Sequence, residues 1–330
     1  MKFLIIRFSS IGDIVLTSPV VRCLKKQVQG AEVHFLTKKS FAPVVENNPY
    51  IDKIHLLSHS WELMIYELKS EHYDYIIDLH HNMRTFRLKK ELGVKSFSFN
   101  KLNVRKWMLT NLKWDLLPDI HIVDRYMETL QSFDVKNDGA ALDYFIHEND
   151  EVMQKDIPTS HQAGFISIVI GAAHNTKKLP LEKLKMLCTK INHPIVLLGG
   201  KEDAENGKEI SSVDQVKIYN ACGKFKLNES ADLVRKSKLV ITHDTGLMHI
   251  AAAFKKPIIS IWGNTVPEFG MYPYYGNSDI RNAKIEIRNL KCRPCSKIGY
   301  NKCPKGHFKC MNNIETDTVL ETLRKLSGIT

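Results

Sequence analysis

The spacing of hydrophobic and polar positions changes several times along the chain, and each change marks an element. Residues 2–7 open with a near-continuous apolar run, the pattern of a strand buried on both faces of a parallel sheet. Val15, Leu16, Pro19, Val20 and Leu24 then recur at helical spacing, which predicts a helix over 14–26 with Pro19 early enough to be tolerated. Strand-like runs follow at 32–36, 54–57, 75–79 and 95–99, with helical stretches at 61–69, 85–92 and 124–133. Residues 134–159 lose the pattern, are rich in Asp, Asn and Lys, and read as a linker. A second series begins at 165–170 and continues with a helix at 181–191, strands at 194–198 and 216–219, and part of a helix at 230–237. Residues 237–241 form a short apolar strand, after which Leu247, Ile250, Ala251 and Phe254 take helical spacing and 258–262 returns to strand. An amphipathic helix at 316–326 closes the chain. Strands alternating with helices predict an α/β fold with mostly parallel sheets. Two series of similar size predict two Rossmann-like domains, 1–155 and 156–330, facing each other across a cleft, with the final helix a candidate to pack back on the first.

A length of 330 residues suits two domains, and 43% hydrophobic with 25% charged residues is ordinary for a soluble globular chain. The net charge of +11 changes the picture. It points to an anionic partner, whether nucleic acid, a phosphorylated substrate or an acidic membrane surface; the plainer reading is a well-solvated basic surface. The N-terminal apolar run is too soon interrupted by Arg7 to be a signal peptide, and no run reaches the length of a membrane span, so the expected location is cytoplasmic. Seven cysteines in such a compartment are not a disulfide framework. The absence of G-x-G-x-x-G after the first strand, of a Walker A sequence and of H-E-x-x-H removes the main support for nicotinamide, P-loop and zincin chemistry.

Five constellations carry candidate chemistry. In Ser9-Ser10-Ile11-Gly12-Asp13, Gly12 permits a tight turn and Asp13 stands where a helix begins; it is either a first-turn acid facing the helix dipole or a general base at the mouth of the cleft. Lys177 and Lys178 follow the strand ending at Ile170, as a phosphate-neutralising pair or a solvated one. Asp244, Thr245 and Gly246 open a helix between two strands, and free N–H groups there make an anion site, with His249 one turn on; alternatively they only cap the helix. Residues 84–113 carry Arg84, Arg87, Lys89, Lys90, Lys95, Lys101, Arg105, Lys106 and Lys113 against one acid, Glu91, with Phe86, Phe97, Phe99 and Trp107 interleaved. They fit an anionic acceptor, a membrane surface, nucleic acid or a solvated face equally. Cys292, Cys295, Cys303 and Cys310, with His307 among them, form a candidate structural zinc site with no catalytic role, or four reduced, partly buried thiols.

The segment from Arg7 to Pro19 resembles the N-terminal signature of glycosyltransferase family 9, the lipopolysaccharide heptosyltransferases, and 244–253 resembles their C-terminal donor motif. Residues 196–200 and 221–224 are similar in style, and the cysteine-rich segment is like one in many members. The resemblance spans nearly the whole chain. It implies a GT-B fold and an inverting transfer, with no catalytic metal or cofactor, of heptose from ADP-heptose to the inner core of lipopolysaccharide, on lipid A-linked Kdo or a core heptose. It implies Asp13 as general base, donor contacts from Asp244, Thr245, Gly246 and His249, and Lys177 on the phosphates, with the first domain taking the acceptor and the second the nucleotide sugar. Gly12 and Arg84 are the acceptor-side candidates. A phosphorylated lipid A–core acceptor suits the +11 charge and work as a peripheral protein at the cytoplasmic face of the inner membrane. Leu179 stands where the family often has tryptophan, which opens the sugar's identity. The other readings are a GT-B-like nucleotide-sugar enzyme with another sugar, an epimerase, and a basic nucleic-acid-binding module; no nucleic-acid motif is present, and that last reading gives Asp13 no task.

Overall fold

In a computed structural model, which describes residues 1–329, the chain divides into two compact units. The first comprises Met1–Lys101 and Ile120–Phe145; the second takes the excursion Leu102–Asp119 and the chain from Ile146 onward. The first contains β1 (Lys2–Ile6), β2 (Glu32–Thr37), β3 (Lys53–Leu56), β4 (Tyr75–Asp78) and β5 (Ser96–Ser98), all parallel, in the order β3-β2-β1-β4-β5. The second contains β6 (Ile166–Val169), β7 (Ile195–Leu198), β8 (Ile218–Asn220), β9 (Val240–His243), β10 (Ile258–Trp262) and β11 (Asn282–Glu286), also parallel, in the order β11-β10-β9-β6-β7-β8.

Both orders are doubly wound: each sheet starts at its centre, grows to one edge, and crosses back to grow the other way. The crossover leaves a crevice beyond the carboxyl ends of the two central strands, where ligands sit in such sheets. In the first unit those strands are β1 and β4; in the second, β6 and β9. The continuous apolar runs are interior strands, covered on both faces. Phe3, Leu4, Ile5 and Ile6 of β1 are wholly buried, as are Ile195, Val196, Leu197 and Leu198 of β7.

The segment predicted as one helix over 14–26 is two, Ile11–Val15 and Ser18–Gln27. Pro19 has no N–H to donate and sits in the first turn of the second helix, so the first must end before it. The excursion is held to the second unit by Leu109, which packs with Val266 and Phe269, and by Lys106 over the Phe269 ring. The last helix, Thr316–Ser327, gives Val319, Leu320 and Leu323 to the core of the second unit. β11 had no counterpart in the periodicity; as an edge strand only Ile285 of its five residues is buried. Among the described residues, no helix is long and apolar enough to cross a membrane.

Candidate functional site

In the first unit the chain leaves β1 through Arg7, Phe8, Ser9 and Ser10 and enters helix Ile11–Val15, with Asp13 in its first turn. The carboxylate is held at both oxygens. Ser10 Oγ donates to Asp13 Oδ2 at 2.8 Å, its N–H reaches the same oxygen at 3.3 Å, and Arg7 Nη2 lies 2.7 Å from Oδ1. The buried Arg7 guanidinium spends its other donors on the carbonyls of Ser9 and Leu79 and on the Tyr126 hydroxyl. Burial pulls its pKa down, but the attraction of Asp13 outweighs it, so the cation is retained. Gly12 is buried beneath the turn.

The second lip of this crevice is the turn after β4. Buried Asp78 accepts the N–H groups of His80 and His81 on Oδ1 and pairs through Oδ2 with Lys89. The His80 ring packs 4.8 Å from that of Phe8. Burial, reinforced by Arg7, pushes its pKa down to about 4, so it is neutral at pH 7. Sequence reasoning missed His80; its only signal was its place after a central strand. Arg84 is exposed in the first turn of helix Met83–Leu92, following the same strand.

In the second unit the structure brings Lys177 and Asp244 together and sends Lys178 elsewhere. Lys177 Nζ, in the turn after β6, lies 2.6 Å from Asp244 Oδ2, in the turn after β9. Thr265 Oγ1 donates to the same oxygen at 3.0 Å. Thr245 is the N-cap of helix Gly246–Ala253, so the helix opens its unbonded N–H groups beside the Lys177 ammonium. His249 lies buried one turn farther along. Lys178 instead pairs with Asp203 at 2.7 Å, and the other oxygen of Asp203 takes the N–H of Gly200 at 3.0 Å. A Cβ at Gly171 would sit 2.4 Å from that oxygen, so glycine is what lets the β6 and β7 loops meet. Leu179 packs in the core, and its N–H donates to the buried His243 ring, whose pKa burial pushes down to about 4. A recess of about 500 Å³ opens beside these loops beyond β7 and β8, lined by Lys201, Asn220, Cys222 and Lys224.

The cysteine-rich segment braces this pair from two sides. Tyr300 exchanges backbone and side-chain hydrogen bonds with Thr176, next to Lys177. Arg293 donates to the carbonyls of Gly263, Thr265 and Ile287 and pairs with Glu286, fixing the loop that carries Thr265. Neither Thr265 nor Arg293 was singled out from sequence, although Arg293 lies between Cys292 and Cys295. Cys292 Sγ lies 3.9 Å from His307 Nε2, while burial raises the Cys295 thiol and carries Cys310 to about 11. Among the described residues, the group that brings three prospective metal ligands within 4.8 Å of one another is His34, His55 and Glu71 in the first unit.

The basic stretch 84–113 is divided between the units, and several of its cations have internal duties. Lys89 pairs with Asp78, Arg87 pairs with Glu91 over the Trp61 ring, and Lys113 donates to the carbonyls of Thr110, Cys292 and Pro294.

Residues 62–300 match the model of glycosyltransferase family 9 (heptosyltransferase). Lipopolysaccharide heptosyltransferase 1 of Campylobacter coli is 25% identical over 99% of both chains. The family 9 glycosyltransferase of Veillonella parvula, 20% identical, superposes with a TM-score of 0.77 over 98% of this chain and 96% of its own. The ADP-heptose LPS heptosyltransferase II of Escherichia coli, 19% identical, does so at 0.74 over 99% and 98%. These likenesses show the fold, a GT-B fold.

Proposed function

The chain belongs to glycosyltransferase family 9, the heptosyltransferases, and from that premise we propose an inverting transfer of heptose from ADP-heptose to the inner core of lipopolysaccharide. It is a glycosyltransferase of the heptosyltransferase type, acting in lipopolysaccharide core biosynthesis. ADP-heptose as donor is carried from the Escherichia coli relative that bears it in its name.

The reading rests above all on the Lys177–Asp244 pair at the opening of helix Gly246–Ala253. The donor diphosphate lies against the free N–H groups of this turn, with Lys177 as counter-charge. Asp244, an anion beside an anion site, is held by Lys177 and Thr265 and accepts hydrogen bonds from donor hydroxyls. Thr245, Gly246 and His249 complete the donor set. In the first unit Asp13 takes the proton of the acceptor hydroxyl. The oxygen attacks the anomeric carbon opposite the leaving ADP, and the bond from that carbon to the phosphate oxygen breaks. Charge developing on ADP falls on amides and an ammonium already in place, so this step does not call on a metal. Gly12 and Arg84 stand on the acceptor side, on residues 1–155 of the expected division, with the nucleotide sugar on 156–330.

The acceptor is a phosphorylated lipid A–core glycan, reached at the cytoplasmic face of the inner membrane. Exposed Trp107 and Trp114 with exposed Arg105 support contact with an anionic surface. Cys292, Cys295, Cys303 and Cys310 are retained as a structural zinc candidate that stiffens the segment bracing Lys177. The deciding experiment is turnover of ADP-heptose with lipid A-linked Kdo or heptose acceptors, alongside calorimetry with ADP, GDP, UDP and CMP. Selective ADP binding and an inverted product are expected; tight binding of another nucleotide with no heptose transfer would overturn the reading.

A further inference from the structure

We propose that His34, His55 and Glu71 form a site for a divalent transition-metal ion with zinc-like preferences, at the end of the first sheet opposite the Asp13 loop. The register of β2 on β3 sets His34 against Lys53, which places His34 and His55 on the same face of the sheet, two residues apart in register. Their facing nitrogens, Nδ1 of His34 and Nε2 of His55, are 3.2 Å apart. Two nitrogens bound at ~2.0–2.1 Å to a tetrahedral ion are themselves about 3.3 Å apart. The pair is therefore already at ligand spacing. The oxygens of Glu71, which follows helix Trp61–Ser70, stand 3.8 Å from each of these nitrogens.

A second observation concerns which lone pair is offered. Glu32 Oε1 lies 2.9 Å from Nε2 of His34, and an ionised carboxylate only accepts. Nε2 therefore carries the hydrogen of the neutral ring, and Nδ1 presents its lone pair to the cluster. A carboxylate that orients a histidine through its far nitrogen is the usual support of a metal-bound imidazole. Both rings are buried, out of reach of bulk water. Lys2 and Lys53 both donate to the Glu71 carboxylate.

Three groups would have to yield. The Tyr73 hydroxyl lies 2.8 Å from the His34 nitrogen and 2.9 Å from that of His55, but it has one hydrogen and can satisfy only one lone pair. Lys2 bridges Glu32 and Glu71, and can remain with Glu32. Lys53, bound to Glu71, has a side chain 54% exposed and can swing into solvent as the ion enters. The ammonium thus stands where the ion would supply charge. Two imidazoles and a carboxylate suit Zn²⁺, Co²⁺ or Ni²⁺ better than Mg²⁺ or Ca²⁺. The ion would clip β2, β3 and the segment entering β4 together, and binding only the folded unit would stabilise it. The proposal does not depend on the glycosyl-transfer reading.

The test uses the full chain, stripped with a chelator, and the same chain carrying Cys292→Ser and Cys295→Ser to remove the competing thiolates. Each is titrated with Co²⁺, followed by absorption, and with Zn²⁺, followed by Tm. In the cysteine variant a visible cobalt band without thiolate charge transfer and a Zn²⁺-dependent rise in Tm are expected. His55→Ala should abolish both, Glu32→Gln should weaken binding by about 10–100-fold, and Lys53→Ala should tighten it. No cobalt band in the cysteine variant, or a band indifferent to His55→Ala, overturns the proposal. If His55→Ala fails to fold, Glu32→Gln and Lys53→Ala, which remove no ligand, decide: unchanged affinity in both overturns the proposal.

Discussion

Two adjacent lysines show how much a single residue's surroundings decide. Lys177 and Lys178 are chemically identical, yet one faces Asp244 at the helix opening and the other neutralises buried Asp203. Lys177→Ala is expected to raise the KM for the nucleotide sugar about tenfold or more, the scale of one charge-assisted contact, with little change in Tm. Lys178→Ala is expected to do the reverse, lowering stability by about 1–3 kcal/mol because Asp203 loses its partner in a buried setting; steady-state kinetics and thermal melts on both variants separate the roles. Asp13→Asn should keep the fold, since its amide oxygen still accepts from Arg7 and its NH2 can donate to the Ser10 hydroxyl, while turnover falls by ~10²–10⁴ with donor affinity almost unchanged. Unfolding of that variant would return Asp13 to the role of a helix-start acid.

At the scale of elements, loops far apart along the chain are locked by a few long-range bonds. The side chains of Arg293 and Glu286 are both almost wholly covered, and Arg293 also holds the carbonyls of Gly263 and Thr265. Arg293→Leu is expected to cost roughly 1–3 kcal/mol, since the Glu286 carboxylate then keeps only the exposed Arg288 as its partner, and to weaken donor binding as well by releasing Thr265 from Asp244. Calorimetric unfolding together with ADP titration measures both; loss of stability without loss of affinity would mean that Thr265 holds its place unaided. Gly171→Ala acts in the same way on the β6 and β7 loops, because its methyl would meet the Asp203 carboxylate.

For the whole molecule, pH gives the clearest prediction. His243 is buried and its pKa is pushed down to about 4, against an ordinary value near 6.5. Between those limits the unfolded chain binds a proton there that the folded chain does not, so stability rises with pH across that window and is lost as pH falls from about 6.5 towards 4. His80 behaves alike in the first unit. Urea midpoints from pH 7.5 to 4.5 should fall steadily on acidification, and His243→Gln should flatten the slope; a flat wild-type profile would contradict the assigned burial. The α/β class, the central strands and the loops that follow them were legible in sequence, because apolar period and turn residues report local backbone preference. So was the Asp13 turn, whose Ser10 cap lies three residues away. The split of the 14–26 helix could have been read from Pro19, but β11, the excursion at 102–119 and the parting of Lys177 from Lys178 could not. By itself the sequence determined which residues stand at the ends of which strands. Tertiary structure alone decided which of them meet, Lys177 with Asp244 across 67 residues and Arg7 with the carbonyl of Leu79 across 72. Such pairings follow from strand order and from the burial that holds distant loops together, and no local window of residues carries either.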